Sequence, residues 1–276
     1  MKYARVVCVL SGGGAKSAAH AGALKALEEW RLGVSHYVGT SLGAVIGACF
    51  ASGLAYEEVL KRIGSVSRRD VAQLAPGALL GPLGRSVFRR GPLQETIRRL
   101  VPATSFGDLR APLTVTTTDL ESGELVLFGA GGRTDVPLRD ALYASCALPV
   151  FYPPAILDGR PYADGGLRAV LPPKVAAAQD PDLVFAVYVG PSFRERGDPR
   201  PVKPGLLGAH GNAMRVLMAA QAETEIASWD RRIPLVLARP PVEALATFRV
   251  DRIRHYVEEG YRAAVRALEE WKAGAT

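Results

Sequence analysis

The stretch of this chain best suited to covalent chemistry is a serine framed by glycines, Gly39-Thr40-Ser41-Leu42-Gly43. An apolar pair with strand character, Tyr37-Val38, precedes it, and a small-residue helical run, Ala44 to Ala48, follows. The order is strand, tight turn, helix, with Ser41 at the bend. A serine so placed stands clear of the sheet edge, and glycines on either side let neighbouring backbone come close. The start of the helix adds positive potential where an oxyanion would form. A second cluster, Ser11-Gly12-Gly13-Gly14-Ala15-Lys16-Ser17, separates the apolar run Val6 to Leu10 from a helical run, Ala18 to Trp30. Its glycines offer several unhindered N–H groups aimed at one spot, suited to a phosphate or a transient oxyanion. It is not a P-loop, because that motif needs glycine where Ala15 and Leu10 stand. It is not a dinucleotide fingerprint either: no acidic residue falls between Val34 and Val38, where one is required. A third feature is Tyr162-Ala163-Asp164-Gly165-Gly166-Leu167, which follows a hairpin pattern with an Asp158-Gly159 turn. Asp164 closes a strand there, and two glycines turn the chain sharply behind it.

Together and in this order, the three blocks resemble those of patatin-like phospholipases. Leu113 to Glu124 resembles the central strand and hairpin of that family, and Ala144-Ser145-Cys146-Ala147-Leu148-Pro149 resembles the segment before its aspartate strand. The similarity runs from about Val6 to Val189. The resemblance implies a Ser–Asp dyad without histidine, with Ser41 as nucleophile, Asp164 as base and the amides of Gly12, Gly13 and Gly14 as oxyanion hole. Ala15, Lys16, Ser17, Gly39, Thr40, Leu42, Gly43, Gly165 and Gly166 are the supporting positions of the motifs. Lys16 and Ser17 stand where the family usually has arginine and then glycine. Lysine keeps the charge but not the planar fork of donors. Arg168 and Ala169 stand near the place where many relatives carry asparagine.

The dyad chemistry is reasonable for these residue types. A serine hydroxyl is a weak nucleophile and needs a base within hydrogen-bond reach. An ordinary aspartate, with a pKa of about 3.9, is a poor base at neutral pH. Burial raises its proton affinity and makes it useful. The expected activity is therefore hydrolysis of acyl esters of phospholipids or related lipids through an acyl-enzyme, with no metal and no organic cofactor. A Ser–His–Asp esterase is the competing hydrolase. His20 and His36 precede Ser41, against the usual chain order of serine, acid, histidine, and no motif surrounds His210 or His255. A lipid-binding or regulatory module is the alternative outside catalysis; it would be marked by loss of Ser41 or Asp164, and both are present.

These residues need a scaffold. The 276-residue chain is 48% hydrophobic, enough for one large domain around a buried sheet. Strands are expected near 5–10, 34–38, 113–119, 125–129, 155–157, 161–163, 183–189 and 233–237. Helices are expected near 15–30, 42–52, 56–66, 93–101, 137–145, 172–179, 207–229 and 252–272. The last carries Val257, Tyr261, Ala264, Val265, Leu268 and Trp271 on one face. The alternation predicts an α/β fold: a single three-layer domain over 1–276 with a mostly parallel central sheet and helices on both faces. The core motifs span 6–189, and a helical extension follows from 205 to 276. Residues 68–91 include an apolar stretch, Leu74 to Leu83, broken by proline and glycine and followed by Arg85, Arg89 and Arg90. The segment suits a lid or an interfacial contact that admits acyl chains. Arg194 to Pro204 reads as an exposed loop.

The net charge of +7 is dispersed in small arginine knots, with no nucleic-acid motif beside them and few aromatics. It fits attraction to anionic lipid headgroups at a membrane face better than binding to nucleic acid. Cys8, Cys49 and Cys146 sit in apolar surroundings, as reduced core residues of a cytoplasmic protein would. The uncharged stretch Tyr37 to Tyr56 has the length of a membrane span. Thr40, Ser41, Ser52 and the glycines at 39, 43, 47 and 53 instead mark it as a buried turn and core helix. Composition leaves the oligomeric state open.

Overall fold

The computed structural model describes residues 3–78, 86–191, 205–230, 232–243 and 247–274. Its first strand, β1 (Val6–Leu10), is buried along its whole length. Strands pleat with period two, so its residues feed two cores. Val6, Cys8 and Leu10 join one apolar cluster, while Val7 and Val9 join another on the opposite face. A strand buried on both faces is a centre strand, and β1 pairs in parallel with β2 (Val34–Thr40) on one side and β7 (Leu183–Val187) on the other. β3 (Leu113–Asp119) extends the parallel set beyond β2, and β8 (Leu235–Ala238) extends it beyond β7. β4 (Leu125–Gly129) folds back antiparallel on β3. The hairpin of β5 (Ala155–Leu157) and β6 (Arg160–Asp164) also joins β3 antiparallel, giving the order β5-β6-β3-β2-β1-β7-β8.

The first core is covered by α1 (Ala19–Glu29), α2 (Leu42–Ala51), α3 (Tyr56–Gly64), α5 (Arg90–Leu100), α6 (Leu138–Cys146) and α10 (Ile253–Gly274). The short α4 (Arg68–Val71) contributes Val71 to it. The second core lies beneath α8 (Pro173–Ala177) and α9 (Gly205–Ala227), with Val170 and Leu171 from the turn after α7 (Gly166–Ala169). The result is the expected three-layer α/β domain. The predicted strands and long helices are all present, with ends shifted by a few residues. The sequence reading does not contain α4 and α7, because four residues make barely one turn and carry no periodicity to detect. The first helix opens with a tight 3₁₀ turn, Gly14–Ala18, before α1 proper.

Tyr37 to Tyr56 forms the end of β2, the serine turn and α2, as its composition indicated. Among the described residues no helix is long and apolar enough to cross a membrane. Cys8, Cys49 and Cys146 are buried and unbridged. In the segment expected to act as a lid, Leu74 bridges Phe88, and the amides of Val87 and Phe88 donate to the carbonyls of Val150 and Phe151. The stretch 79–85, with Leu79 to Leu83 and Arg85, lies outside the described residues, as does 192–204, which holds the whole of the loop expected at Arg194 to Pro204.

Candidate active site

Ser41 alone joins β2 to α2, with φ 55° and ψ −136°. A non-glycine residue there costs about 1–2 kcal/mol of backbone strain, which the surroundings must offset. Close packing accounts for part of this. A Cβ at position 43 would lie 2.4 Å from the Ser11 carbonyl oxygen and 2.5 Å from that of Leu10, so only glycine lets α2 start against the end of β1. Two hydrogen bonds account for more. The Ser145 hydroxyl, fully buried on α6, accepts from the Ser41 amide at 2.8 Å and donates to the Thr116 carbonyl at 2.7 Å. Thr40 donates its hydroxyl to the Ala169 carbonyl at 2.9 Å, tying the serine turn to α7. The sequence reading placed Ser145 within a resemblance and assigned it no task. A lone serine among small and apolar helix residues was the available signal.

Asp164 reaches the same place through strand register. Thr40, the last residue of β2, pairs with Thr116 of β3, and Asp164, the last residue of β6, pairs with Thr117. β6 therefore begins along β3 where β2 stops. Adjacent β3 residues are only about 3.3 Å apart, so the two strand ends meet. The Ser41 hydroxyl stands beside the Asp164 carboxyl and favours its charged form, and both residues line the same cavity. The carboxylate accepts from the Gly166 amide at 2.7 Å. Asp164 is only 4% exposed. Burial pushes its pKa up to about 6, against the opposing pull of the Gly166 amide and the Ser41 hydroxyl. Cys146 lines the same cavity, and burial holds its thiol well above the ordinary range.

The glycine turn faces this pair, with one difference from expectation. The Gly12 amide donates to the Val170 carbonyl at 2.9 Å, so it is already engaged. Among the described residues, the amides of Gly13 and Gly14 have no hydrogen-bond partner. The Ala15 amide donates to the Thr247 carbonyl at 2.8 Å. Lys16 and Ser17 are buried, and both line the cavity described next.

Ser41, Asp164 and the three glycines open into one cavity of about 530 Å³. Leu42 and Gly166 also border it. Away from the polar end its walls are apolar: Val45 and Ile46 of α2, Ile63 of α3, Leu93 and Leu100 of α5, and Phe151. Gly39, Thr40, Gly43 and Gly165 lie behind the wall as supports. Among the described residues no histidine is hydrogen-bonded to Ser41 or Asp164. His20 is fully buried beneath the glycine turn, bonds the Ser11 carbonyl through Nε2 at 2.8 Å, and is kept neutral by burial, with its pKa lowered to about 4. His36 bonds the Thr114 hydroxyl. His255 sits on α10 against Tyr256. His210 alone lines the cavity, from α9.

Residues 8–177 match the sequence profile of the family described as patatin-like phospholipase. The chain belongs to the patatin-like phospholipase family. An uncharacterised NTE family protein of Mycobacterium tuberculosis is 31% identical over 210 residues, covering 76% of this chain and 55% of that protein. Patatin-like phospholipase domain-containing protein 7 of Rattus norvegicus is 26% identical over 286 residues, covering 96% of this chain and 21% of that protein. This chain thus spans about half of the first relative and a fifth of the second. Among solved structures, VipD of Legionella pneumophila matches with a TM-score of 0.51 at 15% identity, over 98% of this chain and 67% of that one, a likeness of fold. Membership in the patatin-like phospholipase family supports a lipid hydrolase.

Proposed function

We propose that this chain is a serine acyl hydrolase that cleaves ester bonds of phospholipids or related lipids with Ser41 and Asp164. The observation that carries the reading is the meeting of Ser41, on its strained turn, and the buried Asp164 at the polar end of one apolar cavity. Asp164 takes the proton as Ser41 Oγ attacks the ester carbonyl. A base with a pKa of about 6 is ionised at neutral pH yet holds a proton far better than an ordinary aspartate. Negative charge then gathers on the carbonyl oxygen, where the amides of Gly13 and Gly14, unpartnered among the described residues, meet it. Each preorganised donor of this kind lowers the barrier by roughly 3 kcal/mol. Asp164 returns the proton to the leaving alcohol, and an acyl-Ser41 ester remains. Water then gives a proton to Asp164 and attacks the acyl carbon; the bond to Ser41 Oγ breaks, Asp164 hands that proton back to Ser41, and the fatty acid leaves. The narrowing from three amides to two follows from the engaged Gly12. The acyl chain lies along the wall formed by α2, α3 and α5.

The test is labelling and turnover together. A fluorophosphonate probe should modify Ser41, and a panel of phospholipids, lysophospholipids and neutral acylglycerols should be cleaved by the parent protein and not by Ser41→Ala. Lack of labelling would favour a binding module on the same scaffold. His210 lines the cavity, so the histidine-dependent reading has its own check: His210→Ala should keep its activity, and a loss as deep as that of Ser41→Ala would transfer the base role to it.

A further inference from the structure

The active cavity straddles the edge of the sheet. Its acyl wall, Val45, Ile46, Ile63, Leu93 and Leu100, belongs to the first core, whereas Met218 of α9, which also lines it, packs on the second. Ser41 and Asp164 stand at strand ends between these two layers. An ester at Ser41 that lays its acyl chain along α2, α3 and α5 therefore has its alcohol side toward α9. That wall differs in charge. Gly208, Gly211, Arg215 and Met218 follow one another at steps of three or four residues, so they form one stripe of the helix, and all four line the cavity. Met218 fixes where the stripe lies: its Cε is 3.1 Å from the point where a Cβ on Gly166 would stand, and the Gly166 amide bonds Asp164. Arg215 is one turn before it, its Cβ about 5–6 Å from that of Met218. Nε and Nη1 of Arg215 are buried, so the guanidinium is not held out in water.

We infer that Arg215 is a specificity-determining residue: it holds a phosphate on the alcohol side of the scissile ester, so that the preferred substrates are acyl esters with an anionic leaving group. The inference rests on the acyl-hydrolase reading and names the substrate class within it. Charge supports it. Among the described residues lining the cavity Asp164 is the only acid, against the cations Lys16 and Arg215. Among the described residues no ion pair reaches Asp164, which accepts from the Gly166 amide, so neither cation serves there as its counterion. A cavity with surplus positive charge and low-dielectric walls concentrates anions and disfavours an ammonium head. The chemistry of the side chain fits as well. A guanidinium has five donors in a planar fork that matches phosphate oxygens, enough to grip a phosphate beside any contact made within the protein.

The experiment gives the full chain three lipids of one acyl chain: lysophosphatidate, lysophosphatidylcholine and monoacylglycerol. The parent should rank them in that order by kcat/KM. Arg215→Gln should lower the ratio of lysophosphatidate to monoacylglycerol roughly 10- to 100-fold, chiefly through KM, and Arg215→Lys should restore part of it. Disturbed packing would lower both rates alike. An unchanged ratio therefore overturns the proposal, as does a parent that prefers the choline or the neutral lipid. Glycerol 3-phosphate should compete with monoacylglycerol in the parent and about tenfold more weakly in Arg215→Gln. Inorganic phosphate competing as strongly as glycerol 3-phosphate would assign the site to free phosphate and overturn the headgroup role. Binding is read without turnover in Ser41→Ala: calorimetric titration with lysophosphatidate should weaken roughly tenfold when Arg215→Gln is added. That result in a parent that cleaves no ester and leaves a fluorophosphonate probe unreacted would keep the phosphate site and sink the catalytic reading. Turnover without discrimination among the three lipids would do the reverse. Should Arg215→Gln fail to fold, Arg215→Lys and the glycerol 3-phosphate competition decide.

Discussion

The two ends of the cavity are built on opposite principles. At the sheet end polar groups are tied one to another: Ser41 to Ser145, Asp164 to Gly166, Thr40 to Ala169. At the helical end Val45, Ile46, Ile63, Leu93 and Leu100 present aliphatic surface with no directional demand. Hydrogen bonds lose strength steeply with misalignment, whereas apolar contact tolerates small shifts. The comparison separates reactivity from selectivity. Substitutions at the first end should depress the rate on every substrate. Substitutions at the second should redistribute rates among substrates.

The largest test of the comparison is removal of the pair itself. Ser41→Ala and Asp164→Asn should each lower kcat/KM by about 10³-fold or more on short and long esters alike, measured with a chain-length series. A loss confined to long chains would erase the distinction between the ends. The same Asp164→Asn protein should be more stable at neutral pH. Between the ordinary aspartate range and about 6, folded Asp164 holds a proton that the unfolded chain has released, so stability falls as pH rises through that window. The substitution abolishes that slope and should stabilise by up to about 3 kcal/mol at pH 7, read from urea unfolding.

Ser145→Ala comes next. It deprives the Ser41 amide and the Thr116 carbonyl of their shared partner, and it should reduce kcat by roughly 10- to 100-fold with little change in KM. An unchanged kcat would mean that α2 and Gly43 position the nucleophile without help from α6. The pH profile sharpens the account of the base. Activity should fall about tenfold per unit below pH 6, because the protonated carboxyl cannot accept from Ser41, and Ser145→Ala should leave that limb in place. The smallest effect belongs to the apolar end. Leu100→Trp shortens the cavity and should shift preference several-fold toward shorter acyl chains, with the rate on the shortest ester retained.

Much of this arrangement was legible in the residues. The apolar run Val6 to Leu10, the pair Tyr37-Val38 before the serine turn and the resemblance carried by Leu113 to Glu124 located β1, β2 and β3 almost to their ends; in β1, burial on both faces leaves a compositional trace. Ser41 and Asp164 were marked by the glycines that their turns require. The continuation of β2 by β6 along β3 was not legible. It depends on the pairing of Asp164 with Thr117, and register between distant segments has no local signature. The same holds for the engagement of Gly12 by Val170 and for the support from Ser145: a glycine-rich turn announces available amides but not which of them another segment will occupy. On α9 the pattern was ambiguous in another way. Its apolar residues surround the axis, and only the packed structure divides those that line the cavity from those left outside.

The abutment of two strand ends on β3 also has a consequence for biosynthesis. A polypeptide emerging from the ribosome exposes its serine well before the carboxyl is made, and the β5–β6 hairpin must then zip onto β3 to bring the two together. On the proposed Ser41–Asp164 reading, a nascent chain therefore carries no activated hydroxyl until that step is complete.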